Sequence, residues 1–251
     1  MTICENAGGS VGPMDSASAL DNPVWSSAGG PLAESFLRRG AAVVLDREVS
    51  PFVGLPTSPT SKDWSDLAVL LGAGGSGLFA ADLLDAPAGW TPIAQVPGVQ
   101  LVAETLRTAP EPEAVPLGPD DVPEMLDLVA RTEPGPFLPR TIELGSYLGI
   151  RIDGALAAMA GERLRPPGWT EISAVCTDER FRGLGLATRL IRAVAHGIEQ
   201  RGELPMLHTG AGNALAIALY ERLGFRLRRK LYFQSFQAPS ALNDDAGAVA
   251  G

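Results

Sequence analysis

Arg180, Gly183 and Gly185 stand in the spacing R-x-x-G-x-G within the stretch AVCTDERFRGLGLATRLI at 174–191. An apolar strand is expected to end here, a polar turn to follow, and RFRGLGLA to open a helix. Such a junction is an anion cradle. Glycines let backbone approach a ligand closely and take conformations that other residues resist. The first N–H groups of a helix have no intrahelical partner, they point along its axis, and the helix dipole favours negative charge there. Arg180 and Arg182 add positive side chains at the rim, so a pyrophosphate is the natural guest. Without such a role, each glycine near a helix start costs about 1 kcal/mol relative to Ala.

Other clusters are less promising. Gly72-Ala73-Gly74-Gly75-Ser76-Gly77 formally satisfies G-x-G-x-x-G. A dinucleotide site needs a strand before it and a helix after it. Here a helical pattern precedes and a strand-like one follows, so a loop is expected. Cys176 sits in an apolar run and reads as a small buried hydrophobe rather than a nucleophile. The chain has two cysteines and two histidines, with no CxxC or HxxxH spacing. Neither a disulfide nor a transition-metal site is expected. His196 falls on the polar face of its helix. His208 ends a strand near the expected cleft, where a substrate-side role is open.

A strand, then Arg180-x-x-Gly183-x-Gly185 with a small residue at Ala187, then an amphipathic helix, resembles the acyl-CoA signature of GNAT-family N-acetyltransferases. Asn213 followed by ALYERLGF at 218–225 is similar to a second feature of that family. The resemblance covers roughly residues 113–237. It implies acetyl-CoA or another acyl-CoA as co-substrate, with the pyrophosphate at 181–187: Phe181, Arg182, Gly183, Leu184, Gly185, Leu186 and Ala187. It also implies that the helix after Asn213 lies beside the pantetheine arm, with Tyr220 near the thioester sulfur. The pattern is most similar to the glycine N-acyltransferase subgroup, which implies a degenerate GNAT-like half upstream.

Acyl transfer to an amine needs a neutral amine, a polarised thioester carbonyl and a proton for the departing thiolate. The resemblance implies Glu171, six residues before Thr177, as general base; a carboxylate in a partly dry cleft would have a raised pKa. Tyr220 is the implied acid. Asn213 lies two helical turns before it, on the same face. Backbone N–H groups of Val175, Cys176 and Thr177 could hold pantetheine, provided that pairing with the neighbouring strand is interrupted there.

These residues must be positioned by regular elements. AAVVLD (41–46), SGLFAADL (76–83) and VQLVAETL (99–106) read as strands, and KDWSDLAVLL (62–71) as a helix. Prolines 110, 112, 116 and 119 place a boundary near 110–114. Beyond it the order is β-α-β-β-β-α-β-α-β. Asp121 is a candidate cap for the helix at 120–131, Asp153-Gly154 turns a hairpin, and TEISAVCT (170–177) is a central strand. Helix 183–201 buries Ala187, Leu190, Ile191, Val194, Ala195 and Ile198 and ends at Gly202. LPMLHT (204–209) is a strand, Asn213 caps a helix to Leu223, and LYFQSFQ (231–237) is the last strand. The run Arg226, Arg228, Arg229, Lys230 reads first as a solvated turn and strand face.

The expected architecture is thus an α/β GNAT fold with a mixed central sheet flanked by helices (113–237). A divergent, incomplete GNAT-like half (21–112) precedes it, between disordered tails at 1–20 and 238–251. The 251 residues carry a net charge of -9, with a pI near 4.8. This argues against nucleic-acid binding but not against a locally cradled anion. No membrane span or secretory signal is expected, which suits the cytoplasm. The expected activity is direct transfer of an acetyl or short acyl group to a primary amine of a small molecule or amino acid. A protein or peptide N-terminal acetyltransferase, a non-catalytic acyl-CoA-binding regulatory module, and a homodimer are left open.

Overall fold

The computed structural model describes residues 18–241. Most of each expected tail (1–17 and 242–251) lies outside them, but Leu20 and Ala238 are buried core residues. Alternating and apolar segments build eleven strands among the described residues. Upstream are α1 (Pro23–Ser27), β1 (Phe36–Arg39), β2 (Ala42–Leu45), β3 (Val53–Gly54), α2 (Ser61–Leu71), β4 (Ser76–Ala81) and β5 (Thr91–Ala103). Downstream are β6 (Val115–Pro116), α3 (Val122–Thr132), β7 (Tyr147–Ile152), β8 (Ala155–Glu162) and β9 (Trp169–Thr177). Then come α4 (Leu186–Gln200), β10 (Leu204–Gly210), α5 (Ala214–Leu223) and β11 (Phe225–Gln237).

The main sheet has eight strands in the order β4-β11-β5-β10-β9-β8-β7-β6. It is mixed: β9 and β10 run parallel, and the other neighbours are antiparallel. β5 lies between β10 and β11, so the upstream region supplies an inner strand of the sheet that holds the R-x-x-G-x-G junction. The proline-rich stretch at 110–114 therefore links β5 to β6 inside one sheet and does not separate two sheets. It is pinned to α4, where Arg189 binds Glu111 at 2.7 Å and also meets Glu113. β5 starts eight residues earlier than its apolar run suggests. Its Pro92 and Pro97 fall where only β11 pairs with it, a position that tolerates a missing N–H.

Local chemistry accounts for the remaining elements. Thr60 and Asp63 form a capping box at α2. Asp153 and Gly154 both have positive φ (51° and 82°), as a two-residue type I′ hairpin requires. Asp121 does not cap α3; its carboxylate accepts from the Gly118 N–H and binds Arg151 instead. α4 buries Leu186, Leu190, Ile191, Ala193, Val194, Ala195 and Ile198 against β8, β9 and β10, while Ala187 is only half-buried. α3 packs Met125 and Leu128 onto Tyr147, Met159, Ala174 and Cys176. Each such large apolar side chain contributes roughly 1.5–3 kcal/mol. The glycine-rich 72–77 segment joins α2 to β4 and hydrogen-bonds the chain at Ala238 and Pro239. The basic run 226–230 is not a turn but the start of β11. Arg228 binds Asp21, and Arg229 binds Asp21 and Asp82, so these arginines fasten the first described residues to the sheet.

Candidate active site

The sheet opens at its centre. β10 pairs with β9 only from Leu204↔Trp169 to Met206↔Glu171, yet it stays with β5 through Gly210↔Gly98. Beyond Glu171 the two parallel strands part, and among the described residues no strand pairs with β9 on that side. Unpaired backbone groups at such an opening must find other partners. Ala174 adds a distortion. It takes φ 51°, and the β8–β9 register shifts between Met159 and Gly161 opposite it. A non-glycine residue held there costs on the order of 1–3 kcal/mol, which the surrounding packing must offset. This bulge breaks the simple alternation expected for Glu171, Ser173 and Val175.

A cleft of about 550 Å³ fills the opening. β9 lines it from Ile172 to Thr177, β10 with His208, Thr209 and Gly210, and α5 with Asn213, Ala216 and Tyr220. Arg182 closes the end nearest the glycine loop, and Phe52, Leu78, Val96 and Phe233 form an apolar end together with Arg163. The structure thus brings Val175, Cys176, Thr177, Arg182, Asn213 and Tyr220 to one cavity. Cys176 packs its side chain among Met125, Phe137 and Tyr147, and burial pushes its thiol up to about 11.

Gly183 (φ 84°) and Gly185 (φ 73°) both require the left-handed region, and Gly185 immediately precedes α4. Apart from its own chain neighbours, no atom of the described residues lies within 4 Å of where a Cβ would stand at either. The loop is therefore strained for any side chain and leaves its outer face open, as an anion cradle needs. Arg180, Phe181, Gly183, Leu184, Gly185, Leu186 and Ala187 follow one another here, outside the cleft's own walls. Leu184 is exposed, Phe181 and Leu186 pack into the core beneath α4, and Arg182 reaches Glu179 at 3.1 Å. Arg180 does not extend freely into the cradle. Its guanidinium binds the buried Asp178 carboxylate (Nε–Oδ1 3.0 Å), which Arg131 also contacts. Hydrogen bonds from Arg180, then from Arg131, hold Asp178 well below the usual carboxylate range.

Asn213 caps α5, its Oδ1 accepting from the Ala216 N–H at 3.2 Å. Tyr220, two turns on, is 8% exposed, meets Phe225 edge-to-face, and has its phenol pushed up to about 12 by burial. It therefore stays protonated throughout the neutral range. Thr177 Oγ1 also faces this region, buried without a hydrogen-bond partner among the described residues. An open glycine cradle, an unpaired strand edge and an orphaned hydroxyl together fit an elongated phosphorylated thioester better than a compact ligand.

Glu171 is not arranged as the expected base. Its carboxylate is fully buried and lies outside the cleft lining. Arg163 Nε and Nη2 donate to its two oxygens at 2.9 and 2.7 Å, and His208 Nδ1 lies 2.8 Å from Oε1. Burial alone would raise this carboxyl. The charge of Arg163, followed by the hydrogen bonds from Arg163 and His208, outweighs it and holds the group well below the usual range. This is the opposite of the raised value that a partly dry, unpaired carboxylate would have.

His208 is held just as firmly. Gln100 Oε1 accepts from Arg228, and Gln100 Nε2 donates to Leu20 O, each at 2.9 Å. That network assigns the amide so that Nε2 also donates to His208 Nε2, 2.9 Å away. The imidazole then donates Nδ1–H to Glu171 and keeps no free lone pair. Arg163 and Gln100 were not singled out in the sequence, although a Glu-Arg pair ending the apolar run at 155–161 is a signal of buried charge.

The FR47-like protein family model matches residues 147–234, which span the opening and both helices beside it. No curated protein sequence matches the chain. Among solved structures, a protein assigned to the GNAT family from Novosphingobium aromaticivorans is 42% identical, with a TM-score of 0.80. That match covers 89% of this chain and 99% of the other. A GCN5-related N-acetyltransferase from Kribbella flavida shares the fold at 18% identity and a TM-score of 0.56, over 87% of this chain and 95% of its own. A GNAT-family acetyltransferase from Colwellia psychrerythraea does so at 13% identity and a TM-score of 0.50, over 89% and 94%.

Proposed function

The chain belongs to the GNAT family of acetyltransferases, and from that premise we propose that it transfers an acetyl or short acyl group from acyl-CoA directly to a primary amine of a small molecule or amino acid. The observation that carries this reading is the parting of β9 from β10 beyond Glu171, which opens a single cleft between the glycine cradle and Tyr220. Acyl-CoA supplies the activated acyl group. In this reading the backbone N–H groups at 181–187 bind the pyrophosphate, assisted by the dipole of α4. The free edge of β9 at Val175, Cys176 and Thr177 orients the pantetheine arm and polarises the thioester carbonyl. Tyr220, protonated at neutral pH, gives its proton to the departing thiolate. Asn213 fixes the helix that carries it.

With both Glu171 and His208 saturated, the described residues around the cleft offer no buried base. The amine therefore enters already neutral. The rate should rise about tenfold per pH unit up to the acceptor's own pKa, because the neutral fraction does. Thiol release measured from pH 6.5 to 10 with a panel of amines tests this. Profiles displaced in step with each amine's pKa support the reading. A single inflection shared by all amines would point to a protein base instead, and no thiol release with any amine would sink the transferase reading.

A further inference from the structure

We propose that Arg163 binds a carboxylate on the acceptor, making the acceptor an amino acid or another amine that carries both a carboxylate and an apolar body. The inference rests on the acyl-transfer reading above and names its substrate class. Arg163 is 7% exposed and lines the apolar end of the cleft. Its Nε and Nη2 are engaged by Glu171, side-on. Nη1 makes no hydrogen bond among the described residues, so the end-on edge shared by Nη1 and Nη2 is left for a guest. The side chain as a whole is nine-tenths buried, and a second carboxylate can take that edge in the usual forked geometry.

The surroundings narrow the guest further. The guanidinium lies 4.8 Å from the Phe52 ring centroid, so Phe52 is part of the same wall. Leu78, Val96 and Phe233 complete an apolar surface beside it. A polyamine would need carboxylates in the interior, but among the described residues the one acidic side chain lining the cleft is Glu133, which is exposed. A polyhydroxylated amine would leave its hydroxyls against apolar side chains. A compact apolar body ending in a carboxylate satisfies both the wall and the fork.

The test is a binding measurement on the acetyl-CoA-loaded protein. Calorimetry compares 3-phenylpropanoate with 3-phenylpropanamide, which differ only in the carboxylate, in the wild type and in Arg163→Lys. Lysine keeps a positive charge beside Glu171 but has no fork. The wild type should bind the carboxylate at least tenfold more tightly than the amide, about 1.4 kcal/mol. Arg163→Lys should remove most of that preference while its acetyl-CoA affinity stays unchanged. The wild-type comparison stands even if the variant fails to fold. Equal affinity for the two ligands, no binding of either, or a preference that survives Arg163→Lys would overturn the proposal. Efficient turnover of uncharged amines in that case leaves the transferase reading intact. Failure to release thiol with any amine counts against that reading alone.

Discussion

Replacing Glu171 by Gln tests the structural reading of the buried cluster against the catalytic one. Glutamine keeps the volume but removes the charge, and its NH2 faces an Arg163 N–H in either orientation. Glu171 is fully buried and its Arg163 partner has a side chain only 9% exposed. Solvent in the cleft meets only the far edge of the guanidinium and does little for the buried face left behind. Breaking one side of such a buried pair costs about 3–5 kcal/mol. For a chain of this size about 1 kcal/mol shifts Tm by roughly 2–4 °C, so Tm should fall by about 6–20 °C at pH 7. The pH dependence has a definite sign. A carboxyl held below its ordinary value stabilises the fold above the unfolded pKa, near 4.3, and that stability is lost as pH falls through the folded value. The gap between wild type and variant should therefore be full at pH 7 and narrow below about pH 4.3. Urea melts at pH 7 and at pH 3.5, followed by circular dichroism, measure both points. A Glu171→Gln protein as stable as the wild type at pH 7, but inactive, would refute this reasoning and restore Glu171 as a base.

Gly183→Val should weaken acetyl-CoA binding at least tenfold, about 1.4 kcal/mol by calorimetry, because φ 84° is strained for valine and its side chain would project into the open cradle. Unchanged affinity in a folded variant would displace the pyrophosphate from this loop. Tyr220→Phe keeps the ring packed on Phe225 and should lower kcat by 10²–10⁴ with little change in acetyl-CoA affinity; an unaltered kcat would remove the tyrosine from proton transfer. Titration should find one acetyl-CoA per chain, since the glycines at 72–77 follow a helix and precede a strand; two per chain would show an upstream site.

Most of the region around the glycine cradle was legible because its signals are local. The Asp153-Gly154 turn, the Asn213 cap and the apolar stripe of α4 each depend on residues a few positions apart, and each appears where its chemistry places it. What the sequence hid depends on long-range pairing. Nothing near residues 91–103 announces that this strand will lie between β10 and β11, and Pro92 and Pro97 argue locally against its extension upstream of Val99. The surroundings of Glu171 were hidden for the same reason. Its partners Arg163 and His208 are eight and 37 residues away, and they meet only once β8, β9 and β10 are side by side. In the basic run at 226–230, Arg226 and Lys230 are exposed as expected, but Arg228 and Arg229 are drawn in by Asp21 and Asp82, which lie far away in the sequence.

The most direct test of the central claim is a crystal structure of the acetyl-CoA complex. Pyrophosphate oxygens should lie within hydrogen-bond distance of the backbone N–H groups of 181–187. The thioester should lie in the gap where β10 leaves β9, between Val175 and Tyr220. Acetyl-CoA bound elsewhere, or bound at the glycine loop with its thioester directed away from Tyr220, would contradict it.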